Sequence, residues 1–229
     1  MNYFIIDYDS TFIKVESLDE LSKNSKNYNI KTQKKIEKIT ELGMEGKISF
    51  SESLGKRIKL IKCDKEDINK TIQTLDGLVS KSFKKNIPFL KKNNDKIIII
   101  SSGFHELIDP IVVKYGIKKE NIYANRFLYK NQNIIGYDKN NYLSQSQGKV
   151  KLVRKLNLKG KIHVIGDGYT DYEIKKEGLA NSFYLFTENI KRKSVVKSAD
   201  YLLKSLDQFI KIIKLKSFHS QNLKSKFYF

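Results

Sequence analysis

Two aspartates follow the first apolar run of the chain and are separated by a single residue. The segment FIIDYDSTF, residues 4–12, reads as a buried strand with Asp7 and Asp9 at its end. A strand followed by a polar turn has this pattern, but two carboxylates at this point could also serve as a nucleophile and a proton donor. The choice depends on what lies at the ends of the other strands.

Three further segments place polar groups directly after a predicted strand or at the start of a predicted helix. They are SSG at 101–103, QGK at 147–149 and GDGYTD at 166–171. The carboxyl ends of the strands in an open parallel sheet converge on one crevice, where ligands bind. Each segment alone is typical of a turn or a solvated charge, whereas four of them in this order favour one shared site.

The four segments together contain the groups that phosphoryl transfer needs. Asp7, Asp167 and Asp171 would repel one another unless a cation lay between them, and oxygen ligands suit Mg²⁺. Ser101, neighbouring backbone N–H groups and Lys149 would bind an anion beside that metal. A carboxylate nucleophile, a hard cation and an anion-binding group describe a reaction through an aspartyl-phosphate.

Short apolar strands alternate with amphipathic helices along most of the chain. Strands are predicted at 3–7, 96–101, 121–124, 161–165 and 182–186, and helices at 104–115, 149–156, 170–177 and 205–215. The alternation predicts an α/β fold with a Rossmann-like parallel sheet and helices on both faces. Residues 127–137 are predicted to form a small hairpin.

One stretch after the first strand interrupts this alternation. Helical spacing of apolar residues recurs at 32–42, 49–61 and 65–75, and Ser49 with Glu52 has the pattern of a capping box. We therefore expect three parts: a small helical cap at residues 16–78, an α/β core at residues 1–15 and 79–215, and a loosely ordered basic tail at residues 216–229.

Composition excludes some classes of protein and leaves others open. The 229 residues are 40% hydrophobic and contain no apolar run long enough to span a membrane. The single cysteine, Cys63, cannot form an internal disulfide, so the cytoplasm is the expected compartment. The net charge of +19 would suit nucleic acid, but the lysines are spread along the whole chain, and nucleic acid is not expected as the main partner.

The four segments resemble the four motifs of the haloacid dehalogenase superfamily of phosphatases in order and spacing, across residues 4–215. The resemblance implies that Asp7 is the nucleophile and that Asp9 is the general acid and base. The predicted helical cap resembles the mobile cap of this superfamily.

The same resemblance implies roles for the remaining motif residues. Mg²⁺ would be bound by Asp7, Asp167 and the backbone carbonyl of Asp9. The phosphoryl group would be held by Ser101 and Lys149. Asp171 would support the metal or orient Lys149.

A second pattern lies in the predicted cap. DYDSTF with Glu16, followed by MEGKISFSESLGKR at 44–57, resembles the phosphoserine phosphatase family. This resemblance implies that Arg57 binds the substrate carboxylate with its planar fork and that Glu16 pairs with the substrate ammonium. Met44 and Phe50 would close over the site and exclude water. Taken singly, these residues are as typical of core positions and solvated charges.

Three residues depart from that family's pattern. Tyr8 stands where phenylalanine is usual, and its side chain is expected to point away from the two acids. Ser102, before Gly103, stands where glycine is usual, and its side chain is expected to change the pocket shape because glycine permits a close backbone approach. Thr170 stands where asparagine is frequent. Ser102, Gly103 and Thr170 are still expected at the substrate site.

The function that the resemblance implies is Mg²⁺-dependent hydrolysis of O-phosphoserine to serine and phosphate, the last step of serine biosynthesis. Two alternatives stay open. One is the same chemistry on another small phosphate ester, or transfer to an acceptor other than water. The other is a catalytically degraded basic protein that binds phosphorylated ligands or nucleic acid. The sequence also leaves open whether the protein is a monomer or a dimer.

Overall fold

A computed structural model describes residues 1–44 and 47–225 of the chain. Its strands are β1 (Asn2–Ile6), β2 (Ile97–Phe104), β3 (Ile122–Asn125), β4 (Phe127–Lys130), β5 (Asn133–Tyr137), β6 (Lys161–Gly166), β7 (Ser182–Phe186) and β8 (Tyr201–Leu203). Six of them form one sheet in the order β3-β2-β1-β6-β7-β8. Every neighbouring pair in that sheet is parallel.

Helices cover both faces of this sheet. They are α1 (Ser17–Lys23), α2 (Ile30–Met44), α3 (Phe50–Leu60), α4 (Lys65–Gly77), α5 (Lys81–Lys85), α6 (Ile87–Lys92), α7 (His105–Val112), α8 (Gly148–Leu156), α9 (Tyr169–Lys176), α10 (Lys193–Val196) and α11 (Leu206–Ser225). The predicted α/β fold with a parallel sheet is therefore confirmed. Between residues 1 and 225, outside the gap at 45–46, no helix combines the length and apolar character needed to cross a membrane.

The strand sequences explain why the sheet is buried. β2 reads IIIISSGF and is buried at all but one position, as is typical of parallel strands covered on both faces. Side chains alternate across the sheet, so Phe4 and Ile6 of β1 pack in one core cluster and Ile5 in the other. The first cluster is rich in aromatic rings, including an edge-to-face pair of Phe4 and Phe209.

The strand order reverses at β1, which has β2 on one side and β6 on the other. A parallel sheet opens a crevice at such a reversal, beyond the carboxyl ends of the two diverging strands. The polar segments that follow β1 and β6 both lie at this crevice.

Among the described residues, six α-helices lie between β1 and β2, and the first four, α1 to α4, form the inserted helical segment, residues 16–78. The chain leaves and re-enters the sheet domain side by side, because Ile13 and Val79 form an antiparallel bridge. A second attachment joins this segment to the β4–β5 hairpin, where the Ile134 N–H donates to the Cys63 carbonyl at 2.9 Å. The hairpin itself lies at the predicted residues, 127–137.

The C-terminal helix is longer than predicted. The sequence pattern placed its end at Leu215 and a loosely ordered tail after it, whereas α11 continues to Ser225. The segment between these residues contains no glycine or proline that would stop a helix. Residues 226–229 of the predicted tail lie outside the described residues.

Candidate active site

The loop after β1 places both acids of the first motif at the crevice. The N–H of Asp7 still bonds to the Ile165 carbonyl of β6 at 2.9 Å, so Asp7 continues the strand. The chain then turns, with Ser10 in the left-handed region at a φ of 54°. Asp9 accepts a hydrogen bond from the Ser17 N–H at 2.8 Å and so fixes the start of α1. Tyr8 is fully buried and donates to the Leu107 carbonyl.

The second motif lies at an irregularity near the end of β2. The pairing register of β2 with β3 shifts between Ile100 and Phe104, and such a bulge redirects the side chains within it. Ser101 Oγ accepts from the Gly103 N–H at 2.9 Å. A side chain at Gly103 would meet Asp9 Oδ2 at 3.0 Å, so glycine allows this loop to approach the acid closely.

An ion pair joins the third motif, residues 147–149, to the fourth motif, residues 166–171. The Lys149 amino group, at the start of α8, lies 2.7 Å from Oδ1 of Asp7 and 2.7 Å from Oδ1 of Asp171. The other oxygen of Asp171 accepts from the Gly168 N–H at 3.2 Å. All three charged groups are buried. Although burial lowers the pKa of Lys149, the carboxylates of Asp171 and Asp7 raise it above its usual value, so the lysine is held as a cation.

The acids that surround this lysine repel one another. Burial, together with the nearby Asp171 and Asp167, raises the pKa of Asp7 well above its usual value, although Lys149 opposes the shift. Burial also raises the pKa of Asp167 to about 7, with Arg192 opposing it and Glu16 and Asp171 adding to it. Carboxylates held this close gain from a further cation between them.

The donor set fits a divalent metal ion. Carboxylate oxygens of Asp7, Asp167 and Asp171 lie within 4.8 Å of one another, and all three residues are buried. Among the described residues that line the cavity, six are acidic, whereas Arg57 and Lys149 are the two basic ones. An all-oxygen set with excess negative charge suits a hard cation such as Mg²⁺.

Asp9 and Glu16 form a second pair of acids. Burial and the nearby Glu16 raise the pKa of Asp9 to about 7, while the bond from Ser17 opposes the shift. Burial likewise raises the pKa of Glu16, and Arg192 opposes that shift. A carboxyl group with a pKa near 7 can both give and take a proton at neutral pH.

The inserted helical segment supplies the other wall of the cavity, whose volume is about 740 Å³. Glu16 precedes α1, Met44 ends α2, and Phe50 and Arg57 lie on α3. The cavity is lined by every predicted site residue, namely Asp7, Asp9, Glu16, Met44, Phe50, Arg57, Ser101, Ser102, Gly103, Lys149, Asp167, Thr170 and Asp171. Glu45 and Gly46 of the segment 44–57 lie outside the described residues.

Sequence reasoning missed Arg192, which joins two of these residues. Its Nε donates to Oδ2 of Asp167 at 2.6 Å, and its Nη2 lies 3.2 Å from Oε1 of Glu16. Arg192 stands in the basic run KRK after β7, and a pattern of this kind is typical of solvated charge. The scarcity of arginine in a lysine-rich chain is the one sequence signal that could have identified Arg192 as a site residue.

Asn189 was also missed. The two hydrogens of its side-chain amide are shared among several acceptors, which include the backbone carbonyls of Ser10, Thr11 and Ile13 in the loop after β1, at 3.1 to 3.3 Å. It also donates to Ser80 Oγ at 2.7 Å. Asn189 therefore holds the loop that carries Asp9 against the segment that follows β7. These contacts join residues more than a hundred positions apart, which no local pattern reveals.

Comparison with known proteins identifies relatives over most of the chain. No protein-family model matches it. The chain is 31% identical over 209 residues to the chloroplastic phosphoserine phosphatase of Arabidopsis thaliana, which covers 89% of this chain and 69% of the relative. It is 32% identical over 212 residues to phosphoserine phosphatase of Drosophila melanogaster, which covers 89% and 75%.

A solved structure agrees with these relatives. The crystal structure of a phosphoserine phosphohydrolase-like protein from Francisella tularensis superposes with a TM-score of 0.84 at 31% identity. The superposition covers 93% of this chain and all of that one. The similarity therefore extends over both the sheet and the inserted helical segment.

Proposed function

The chain belongs to the phosphoserine phosphatase family, and on this premise we propose that it hydrolyses O-phospho-L-serine to serine and phosphate. The observation that carries the proposal is the cavity itself. It brings the residues of four distant motifs together with Glu16 and Arg57 from the inserted helical segment. The first group of residues serves the phosphate, and the second serves the amino acid.

Asp7 is the proposed nucleophile. One of its oxygens attacks phosphorus while the bond from phosphorus to the serine oxygen breaks, which gives an aspartyl-phosphate and a serine alkoxide. Asp9 gives its proton to that alkoxide. In the second half of the reaction Asp9 takes a proton from water, whose oxygen attacks the phosphorus and releases phosphate and Asp7. The pKa of Asp9, raised by burial to about 7, supports both roles.

Lys149, Ser101 and the backbone N–H groups around Gly103 are proposed to hold the phosphoryl oxygens. The ion pair with Asp171 holds the Lys149 amino group in place, so its position does not depend on the substrate. Ser101 accepts from Gly103 N–H and keeps its own hydrogen for donation to the phosphate. Groups fixed before the reaction stabilise developing charge without reorganisation.

Mg²⁺ is the proposed cofactor, held by Asp7, Asp167 and the backbone carbonyl of Asp9, with Asp171 in support. Bound there, it would neutralise the acids and withdraw charge from the phosphoryl oxygens. The excess of carboxylates in the cavity supports this assignment.

The inserted helical segment is proposed to act as the cap that recognises serine. Arg57 would pair with the substrate carboxylate and Glu16 with its ammonium, while Met44 and Phe50 cover the site and exclude water. Ser102 and Thr170 line the remaining wall. We assign residues 16–78 to this cap and residues 1–15 and 79–215 to the core, because the two crossings at Ile13 and Val79 lie side by side.

We place the reaction in serine biosynthesis and in the cytoplasm. Cys63 is the single cysteine of the sequence, so it forms no disulfide within the chain, and it is a buried free thiol whose pKa burial raises to about 12. A thiol in this state suits a reducing compartment. Cell fractionation tests the placement, because recovery of the protein with organelles would contradict it.

The test of the proposed function is phosphate release from a panel of phosphomonoesters by the wild type and Asp7→Asn. The panel contains O-phospho-L-serine, O-phosphoethanolamine, an aryl phosphate and a sugar phosphate, each with Mg²⁺ and with EDTA. We expect a strong preference for O-phospho-L-serine, with activity lost in EDTA and in Asp7→Asn.

Each other outcome removes a defined part of the proposal. Metal-dependent release that prefers another ester would keep the role of Asp7 and remove those of Glu16 and Arg57. Release from Asp7→Asn near the wild-type rate would remove the aspartyl-phosphate. Absence of release from every ester would reject the enzyme assignment.

A further inference from the structure

Arg57 is buried with most of its hydrogen-bonding capacity unused. The residue is 5% exposed, and its Nε has no hydrogen-bond partner among the described residues. Its Nη1 donates to Thr40 Oγ1 at 3.4 Å, which is a long bond. A guanidinium has five N–H donors, and leaving them unpaired in the interior is costly. The group is therefore held ready for an acceptor that enters the cavity.

Thr40 is itself held by a buried carboxylate. Its hydroxyl lies 2.9 Å from Oδ1 of Asp19 and 3.1 Å from the Ile36 carbonyl. The hydroxyl has one hydrogen, and donation to the charged acceptor is the stronger of the two bonds. Donation to Asp19 leaves an oxygen lone pair free to accept from Arg57.

Asp19 is fixed from two sides. It lies in the first turn of α1, where its N–H donates to the Glu16 carbonyl at 3.1 Å, and its own carbonyl accepts from the Gln33 amide at 3.4 Å. Burial raises the pKa of its carboxyl, while Arg57 and the bond from Thr40 oppose that shift. The charge of Arg57 therefore lowers the pKa of Asp19, although the two side chains form no ion pair within 4 Å.

We propose that Asp19 and Thr40 are positioning residues that orient Arg57 for the substrate carboxylate. We call the hydrogen-bonded chain from Asp19 through Thr40 to Arg57 the relay. Its three residues lie on α1, α2 and α3, so it fixes the guanidinium against all three helices. The inference rests on the proposed function, because it assumes that Arg57 meets a carboxylate.

The hydroxyl between the two charges explains how Arg57 stays available. A carboxylate paired directly with the guanidinium would occupy the fork that the substrate needs. The Thr40 hydroxyl takes one donor and leaves the others, while Asp19 compensates the charge from a greater distance. The relay therefore orients the arginine without competing for its ligand.

The experiment compares two esters that differ in the carboxylate, the group that Arg57 is proposed to bind. O-phospho-L-serine and O-phosphoethanolamine share the phosphate and the ammonium, and the second lacks the carboxylate. We expect Thr40→Val to raise KM for O-phospho-L-serine about tenfold, the typical cost of a bond to a charged group. KM for O-phosphoethanolamine and kcat at saturation should stay close to the wild-type values. Thr40→Ser, which keeps the hydroxyl, should restore the wild-type KM.

Thr71→Val is the matched control. Thr71 is a fully buried threonine on α4 that donates to the carbonyl four residues earlier, as Thr40 also can, whereas the described hydrogen bond of Arg57 goes to Thr40. Asp19→Ala should raise KM for O-phospho-L-serine as Thr40→Val does. The double variant should be no worse than Thr40→Val alone, because Asp19 acts through the hydroxyl.

A second measurement separates failure of this inference from failure of the proposed function. Wild-type preference for O-phospho-L-serine tests the function alone. The NMR signal of the Arg57 Nε–H, assigned by its loss in Arg57→Lys, tests the orientation without any ester. The chemical shift of this signal should change in Thr40→Val and in Asp19→Ala, and it should be the same in Thr71→Val as in the wild type. An unchanged signal in Thr40→Val, or an equal KM increase for both esters, would overturn the inference.

Discussion

Lys149 lies between two buried carboxylates, and its amino group is 2.7 Å from Oδ1 of both Asp7 and Asp171. Removing the cation leaves those acids buried without compensation. We expect Lys149→Met to abolish turnover and to lower the free energy of unfolding in EDTA by about 3–5 kcal/mol, as breaking a buried pair does. Urea denaturation measures this change, and added Mg²⁺ should restore part of the loss.

The control for this prediction is Lys151→Met on the same helix. Lys151 is exposed, and its amino group donates to the Gln145 side chain at 3.0 Å. Its replacement should leave the urea midpoint near the wild-type value. Similar midpoints for the two variants would show that Lys149 is not the cation that compensates the site.

Arg57 offers a test of substrate recognition at the residue scale. Arg57→Ala should raise KM for O-phospho-L-serine by about tenfold to a hundredfold, the range expected for loss of charged hydrogen bonds. KM for an aryl phosphate, which has no carboxylate, should change little. Arg154→Ala serves as the control, because Arg154 is exposed on α8 and pairs loosely with Glu177. An equal effect on both esters would remove Arg57 from the carboxylate site.

At the scale of elements, the contact between β6 and α9 fixes Asp171. A Cβ at Gly166, the last residue of β6, would lie 2.2 Å from Cγ of Asp171. We expect Gly166→Ala to lower the free energy of unfolding by about 1–3 kcal/mol, the usual cost of overpacking. Turnover should fall as well, because Asp171 must move away from Lys149.

Gly136→Ala in β5 is the matched strand variant for this prediction. Apart from Gly136 itself and its two chain neighbours, no atom of the described residues lies within 4 Å of a Cβ at this position. Its urea midpoint and turnover should match those of the wild type. If Gly166→Ala also matched the wild type, Asp171 would be free to adjust, and its position would not govern Lys149.

The sequence predicted the elements that carry periodic patterns. Five of the six strands of the sheet, the hairpin and the helices after β2, β6 and at 148–156 lie within a few residues of their predicted places. β8 was missed because Tyr201–Leu203 is too short to show an alternation. α1 was missed because the side chain that accepts a hydrogen bond from its first N–H, that of Ser17, belongs to Asp9, eight residues before the helix.

The site was predictable where strand ends determine it. Asp7 and Asp167 directly follow β1 and β6, Ser101 lies near the end of β2, and topology brings those strand ends to one edge of the sheet. Arg192, Asn189 and the relay from Asp19 through Thr40 depend on tertiary contacts between segments distant in sequence. Nothing in the local pattern around them separates a buried partner from a solvated surface group.

At the scale of the whole molecule, the chain carries a net charge of +19, and the substrate of the proposed reaction is an anion. A surplus of positive charge attracts anions over a distance that salt shortens, to about 10 Å at 0.1 M. We expect kcat/KM for O-phospho-L-serine to fall severalfold between low and high NaCl at constant Mg²⁺, with kcat nearly constant. Measuring kcat/KM at increasing glycerol concentration, which raises the viscosity, separates the effect of charge from a limit set by diffusion. If kcat/KM were independent of salt, the lysines would be solvated charges that do not steer the substrate.

Among the described residues, backbone hydrogen bonds join the inserted helical segment to the sheet domain at two places, while side chains add further contacts, such as the ion pair of Asp76 with Lys114. One is the pair of crossings at Ile13 and Val79, and the other is the bond from the Ile134 N–H to the Cys63 carbonyl. A chimera that exchanged only residues 16–78 would keep the first junction and break the second. For engineering of new specificity by recombination between relatives, the transferable module is therefore the helical segment together with the β4–β5 hairpin, two pieces of chain inherited as one.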